Sequence, residues 1–202
     1  MIIKKATTKD VSKVSSLVYD AFETYELFNI DDAHSSKDSI LRKLLTINMQ
    51  VNINRGYCYL CFDNDQLVGV FNLLPPHVKE PSLIEYIKNG ALKIIMTSNW
   101  RTLTQLLKNI HQAEDIMAQD QKDYWYLDTL VIDPNSQGSG YGSKILTFIK
   151  EQVQDPSYLK LITNAQRNAI FYRKNGFHTV RTSDFTNAET TIQTWLFEYR
   201  PS

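Results

Sequence analysis

The residues best suited to chemistry lie in the run Leu127-Asp128-Thr129-Leu130-Val131-Ile132-Asp133-Pro134-Asn135-Ser136-Gln137-Gly138-Ser139-Gly140-Tyr141-Gly142-Ser143-Lys144. Three of the chain's seven glycines fall within five residues there. They separate a β-rich segment from an amphipathic one carrying Ile145, Leu146, Phe148, Ile149 and Val153. Glycine lets a backbone turn tightly and approach a ligand closely. The N–H groups of a helix's first turn have no partner inside the helix. Together with the positive end of the helix they suit a phosphate or pyrophosphate. The alternative is a glycine turn that only packs a helix close to a sheet. Two nucleotide signatures fail on specific residues. A P-loop needs Ser or Thr after its lysine, and Ile145 follows Lys144. A dinucleotide fingerprint read from Gly138 and Gly140 ends on Ser143 instead of glycine.

A second cluster lies downstream, in Asn164-Ala165-Gln166-Arg167-Asn168-Ala169-Ile170-Phe171-Tyr172-Arg173-Lys174-Asn175-Gly176-Phe177. Asn168 and Tyr172 are four apart, which puts both on one helix face within reach of one ligand. The structural alternative makes Phe171 and Phe177 core residues and Gly176 a helix C-cap. Cys58 and Cys61 have a C-x-x-C spacing. In a strand, residues three apart point to opposite faces, which disfavours a redox or metal pair. His34, His77, His111 and His178 are scattered, so no metal site is expected.

The elements that must position these residues follow from periodicity. Ile2 and Ile3 open a strand, and Thr7 with Asp10 forms a capping box before apolar residues at helical spacing from Val11 to Phe22. A second helix is expected over 39–54. A hairpin follows, with strands at 57–62 and 66–74 around Asp63-Asn64-Asp65. Residues 82–119 read as two helices, capped at Ser82 and interrupted near Gly90 and Thr97-Ser98-Asn99. Then come a strand at 124–132, a helix at 143–153, a strand at 159–163, a helix at 168–175, and closing strands near Val180 and over 192–199. No repeat or linker divides the chain, so one mixed domain over 1–202 is expected.

Composition agrees with a single well-filled core: 202 residues, 43% of them hydrophobic. Lys plus Arg and Asp plus Glu are both 22. Nucleic-acid binders usually carry a basic surplus, so no nucleic-acid partner is expected. No secretory signal and no membrane-length apolar run is read, which predicts a cytoplasmic protein with no membrane partner. No coiled-coil heptads fix an oligomer; monomer and homodimer both stay open.

Gln137-Gly138-Ser139-Gly140-Tyr141-Gly142 resembles the Q/R-x-x-G-x-G/A motif of the Gcn5-related N-acetyltransferase (GNAT) superfamily. The 164–177 segment is similar to that family's N-x-x-A-x-x-F/L-Y-x-x-x-G-F pattern. Trp125-Tyr126-Leu127, with Gly138 and Tyr172, looks most like the small-molecule branch. The resemblance implies an α/β (mixed α+β) GNAT-like single domain, with a central twisted mixed sheet, flanking helices and a helical insertion around 82–119. It implies acetyl-CoA as acetyl donor and no metal. Leu130, Val131 and Ile132 would pair with the pantetheine arm. Gln137, Gly138, Ser139, Gly140, Tyr141, Gly142 and Ser143 would hold the pyrophosphate. Asn168, Phe171 and Tyr172 would complete the cofactor-binding set. Tyr172 matches the family's general acid, and a backbone N–H near Leu130–Ile132 the oxyanion donor. Asp128 stands where some relatives place a catalytic glutamate. It reads as base, water-holding residue, amine contact or structural carboxylate. The first two helices, the insertion and the last strands should set specificity. Glu23, Tyr25, Glu26, Asp31 and Asp32 form a stretch that either attracts a cationic amine or is solvated surface. The expected acceptor is a primary amine of a small molecule. The rivals are a non-catalytic acyl-CoA-binding regulator, a protein or peptide N-acetyltransferase, and a nucleotide-binding protein.

Overall fold

A computed structural model describes residues 1–30, 36–118, 120–121, 123–153, 157–187 and 190–201. Its strands are β1 (Ile2–Lys5), β2 (Cys58–Asp63), β3 (Gln66–Leu74), β4 (Trp125–Ile132), β5 (Leu159–Thr163), β6 (His178–Asn187) and β7 (Thr190–Tyr199). They form one sheet in the order β1-β2-β3-β4-β5-β7-β6. All neighbours are antiparallel except β4 and β5. The main helices are α1 (Val11–Phe22), α2 (Lys37–Asn54), α3 (Leu83–Lys88), α4 (Ala91–Thr97), α5 (Trp100–Glu114), α6 (Tyr141–Gln152) and α7 (Gln166–Lys174). This is the mixed α/β class expected from the sequence.

Period-two alternation sorts the sheet's side chains into two cores. Cys58, Leu60 and Val70 pack with α1 and α2 through Val14, Val18 and Met49. Cys61 and Phe71 pack on the other face with Ile145, Leu146 and Ile149 of α6 and with Ala169 and Tyr172 of α7. The two cysteines thus lie in different cores, as their spacing requires. Burial pushes both thiols up to about 12, which leaves them protonated and unreactive at neutral pH. A third core joins α2 to α4 and α5 through Ile40, Leu41, Ile94, Leu103 and Leu106.

The 82–119 segment forms three helices where two were expected. Each interruption read from the sequence is a full break. Ser82 Oγ accepts from Glu85 N–H, and the Glu85 carboxylate accepts from Ser82 N–H. Arg55 then clamps Glu85 at 2.8 and 2.9 Å. That hydrogen bonding, Arg55 first, holds the Glu85 carboxyl down at about 2. Gly90 takes φ +103° between α3 and α4. Asn99 caps α5 by accepting from Thr102 N–H at 3.2 Å. The closing strands are also longer than expected. β6 runs for ten residues and is mostly exposed, because it is the sheet's outer edge and needs no apolar alternation.

The chain between α5 and β4 is fastened to the sheet by a charge cluster. Lys160 Nζ lies 2.7 Å from Asp120 and 3.8 Å from Glu198, its cross-strand partner. Arg181 approaches Asp120 at 3.3 Å. Burial works against the Asp120 charge, but the Lys160 and Arg181 contacts hold its carboxyl below the usual value. A depressed carboxyl contributes stability above its unfolded value and loses it as pH falls through the folded value. Asp120→Asn leaves Lys160 short of its nearest counter-ion, and should cost on the order of 3 kcal/mol at neutral pH. Urea unfolding checks this: the difference from wild type should shrink on acidification through pH 4 and below.

Candidate active site

β4 changes its neighbours at one point. It pairs with β5 only at Trp125–Leu159 and Tyr126–Lys160. Beyond Tyr126 the two parallel strands diverge, and the β5-facing edge of β4 has no strand partner among the described residues. On the β3 side, Asn72 pairs with Thr129 and Leu73 with Leu127. Asp128 is therefore the extra residue of a β-bulge. A bulge re-aims the side chain it carries. Leu127 and Leu130, three apart, consequently pack on the same core.

The diverging edge opens a cavity of about 450 Å³. One wall is Leu130, Val131 and Ile132. The floor is Gln137, Gly138, Gly140, Tyr141, Gly142 and Ser143, with the buried Ser136. Gly138 and Gly140 take φ +78° and +79°, the left-handed region that favours glycine. No heavy atom lies within 4 Å of where a Cβ would stand at either position, so the loop presents bare backbone to open space. α6 starts at Tyr141, two residues earlier than expected, straight after left-handed Gly140. No side chain caps it, which leaves first-turn N–H donors for a ligand. At Gly142 the constraint differs: a Cβ there would lie 2.9 Å from Phe171 Cζ. Tyr141 donates a 2.6 Å hydrogen bond to Asp63 Oδ2 at the end of β2. This tethers the helix start to the neighbouring hairpin.

The opposite wall is the first two turns of α7. Arg167, Asn168, Phe171 and Tyr172 line the cavity. Phe171, Phe177 and Phe197 surround the Tyr172 ring at centroid distances of 5.2, 5.7 and 5.9 Å. Burial, then the neighbouring Tyr25, pushes the Tyr172 phenol far above its ordinary value. It stays protonated, and hence a proton donor, throughout the neutral range.

A second cavity of about 490 Å³ adjoins the first. Phe22, Tyr25, Leu130, Asn168 and Tyr172 line both. The second is walled by α1, α2, the three insertion helices and β4, and Asp128 projects into it. Asp128 Oδ2 accepts from Asn72 Nδ2 at 3.0 Å and from Thr129 Oγ1 at 2.9 Å. Tyr86, Glu114 and Tyr126 also line it. Burial and then the charges of Asp128 and Glu114 raise the Tyr126 phenol, so both carboxylates act on the same hydroxyl.

Most sequence-assigned residues thus line the first cavity, Asp128 lines the second, and Leu130, Asn168 and Tyr172 line both. Ser139 is exposed and is not among the lining residues of either. Glu23 and Glu26 are exposed and line neither cavity, while Asp31 and Asp32 lie outside the described residues. Tyr25 is not a surface aromatic. It is 8% exposed, and its hydroxyl bonds Thr163 Oγ1 at 2.9 Å and accepts from Asn164 N–H at 2.8 Å. The first two helices and the insertion form the second cavity, but no described residue of β6 or β7 lines it. Arg167, Ser136, Asn72, Tyr86 and Glu114 were not singled out from sequence. Asn72 had a signal, as the one amide in the apolar run Leu67–Leu74.

The acetyltransferase (GNAT) domain family matches residues 106–179. No curated protein sequence matches the chain. Solved structures share its fold. One is a histone acetyltransferase HPA2 and related acetyltransferase from Corynebacterium glutamicum, with TM-score 0.65 and 18% identity over 99% of this chain and 96% of that one. Another is the Drosophila melanogaster polyamine N-acetyltransferase, which forms N-acetylagmatine, with TM-score 0.61 and 12% identity over 99% of each chain. A mosquito arylalkylamine N-acetyltransferase-like protein has TM-score 0.59 and 10% identity over 99% of each.

The glycine geometry gives a direct test. Gly142→Ala sets a methyl against the Phe171 ring and should cost about 1–3 kcal/mol of stability by urea unfolding. Phe171→Leu in the same chain should recover part of that loss.

Proposed function

We propose that this chain, which carries an acetyltransferase (GNAT) domain on a GNAT fold, transfers acetyl from acetyl-CoA to a primary amine of a small molecule by direct attack. The observation that carries this reading is the meeting of two cavities at Tyr172 and Leu130. One has a bare-backbone anion cradle, and the other holds a carboxylate. The fit to acetyl-CoA rests on that cradle, with positive-φ Gly138 and Gly140 facing open space, and on Arg167 across the cavity as a cation for the phosphates. The small-amine acceptor is supported by the second cavity of about 490 Å³ and by the N-acetylagmatine-forming enzyme of similar fold.

Each residue has a role in this scheme. The loop from Gln137 to Ser143 holds the pyrophosphate. The free edge of β4 at Leu130–Ile132 pairs with the pantetheine arm as an added strand would, and one of its N–H groups faces the acetyl oxygen as negative charge develops there. Asn168 and Phe171 flank the arm. Asp128 holds the ammonium and takes its proton, since only the neutral amine can attack. The amine nitrogen then bonds to the acetyl carbon, the carbon–sulfur bond breaks, and Tyr172 gives its phenolic proton to the departing sulfur, while the surplus proton on the attacking nitrogen passes back to the tyrosinate and leaves a neutral amide.

Thiol release with a panel of amines tests the scheme. Tyr172→Phe should lower kcat at least about 100-fold with acetyl-CoA affinity nearly unchanged; unchanged turnover would remove Tyr172 as the acid. Asp128→Asn should raise KM for the amine and also lower kcat, since it removes both the ammonium contact and the proton acceptor, again sparing acetyl-CoA binding. With the phenol held above its ordinary 10, the wild-type pH profile should rise as amine deprotonates and show no falling limb below pH 10.

A further inference from the structure

The second cavity is built for an occupant with one charged end. Its walls are largely apolar, with Leu41, Leu44, Ile47, Leu103 and Ile110 among them. Its ionisable lining groups are Asp128, Glu114 and tyrosines, and no lysine, arginine or histidine lines it among the described residues. Asp128, Glu114, Tyr86 and Tyr126 all line it, and Asp128 accepts from Asn72 and Thr129. Asp128 stands next to Thr129 and Leu130 at the junction with the first cavity. The apolar lining continues onto Leu83, Ile95 and Leu107, which are 70%, 50% and 46% exposed. Those three come one each from α3, α4 and α5. The insertion therefore supplies both an apolar wall and an apolar lip.

We infer that the acceptor is a lipophilic monoamine: a single ammonium held at Asp128, and a long alkyl or arylalkyl tail lying against α2 and the insertion helices and leaving past Leu83, Ile95 and Leu107. This deepens the acetyl-transfer reading and rests on it. Burial of each added methylene against such a wall gains about three- to fourfold in affinity. A long diamine is disfavoured, because an ammonium beyond the reach of Asp128 and Glu114 would stand against apolar side chains with no counter-ion. The volume of about 490 Å³ lies within the range of cavities that enclose a small organic ligand.

The test is a homologous series, n-butylamine to n-decylamine, with 1,4-diaminobutane and 1,8-diaminooctane as matched diamines. Turnover with acetyl-CoA and calorimetric binding in the presence of CoA are both measured. The expected result is a kcat/KM that climbs about three- to fourfold per methylene until the tail fills the cavity, mostly through KM, since a tail bound equally in ground and transition states changes KM alone. Octylamine should exceed 1,8-diaminooctane by at least 100-fold. Ile95→Ser with Leu107→Ser should reduce the octylamine value at least tenfold more than the butylamine value, with acetyl-CoA binding retained as the check on folding. A flat series, or a preference for the diamines, overturns the inference while leaving acetyl transfer standing. Absence of turnover on every amine counts against acetyl transfer instead. The binding series then decides the lipophilic-amine inference alone: length-dependent binding supports it, and length-independent binding or none overturns it.

Discussion

The site depends on the parting of β4 from β5 just after Tyr126. Parallel strands in a sheet normally continue their ladder, and a backbone edge left without partners must find them elsewhere. Here the ladder stops after two pairs. The chain spends the released edge on a ligand-sized cavity. The bulge at Asp128 falls at the same place, because a strand bends most easily where one of its ladders has ended. One local event thus opens a binding edge and turns a carboxylate toward the opposite cavity.

The remaining elements hold that opening in place. α6 closes one end, and its glycine entry brings backbone N–H groups to the floor without side chains in the way. α7 closes the other, with Tyr172 fixed by three phenylalanine rings. Tyr25 reaches from the segment after α1 to the end of β5, tying the α1–α2 layer to Thr163 and Asn164 beside the divergence. Asn164 in turn bonds Thr194 on β7 at 2.8 Å. The cleft is therefore braced on both sides by buried hydrogen bonds, which are costly to leave unmade. The helical insertion supplies the wall that makes the second space a cavity instead of an open groove.

Much of this was legible in the sequence. Local signals were read well: the glycine loop, the i, i+4 pair Asn168 and Tyr172, the Ser82 capping box and the hairpin around Asp63. Each is a short-range pattern whose physics is complete within a few residues. What escaped was long-range. The bulge at Asp128 is a relation between β4 and β3 and leaves no mark on either strand alone. Arg167 and Glu114 gain meaning only when their helices are docked. The length of β6 was missed because an edge strand exposed along most of its residues shows no apolar alternation. Tyr25 was misread because neighbouring acids made its segment look solvated, although its ring packs against Phe22 and Phe28.

The most direct test of the central claim is thermal unfolding of the purified chain with acetyl-CoA, set against ATP and NAD at equal concentration. A ligand at about 100 times its dissociation constant adds about 2.7 kcal/mol to the folded state. The account predicts a clear rise in Tm with acetyl-CoA and none with either nucleotide. No rise at millimolar acetyl-CoA, or a rise with ATP or NAD in its place, would contradict it.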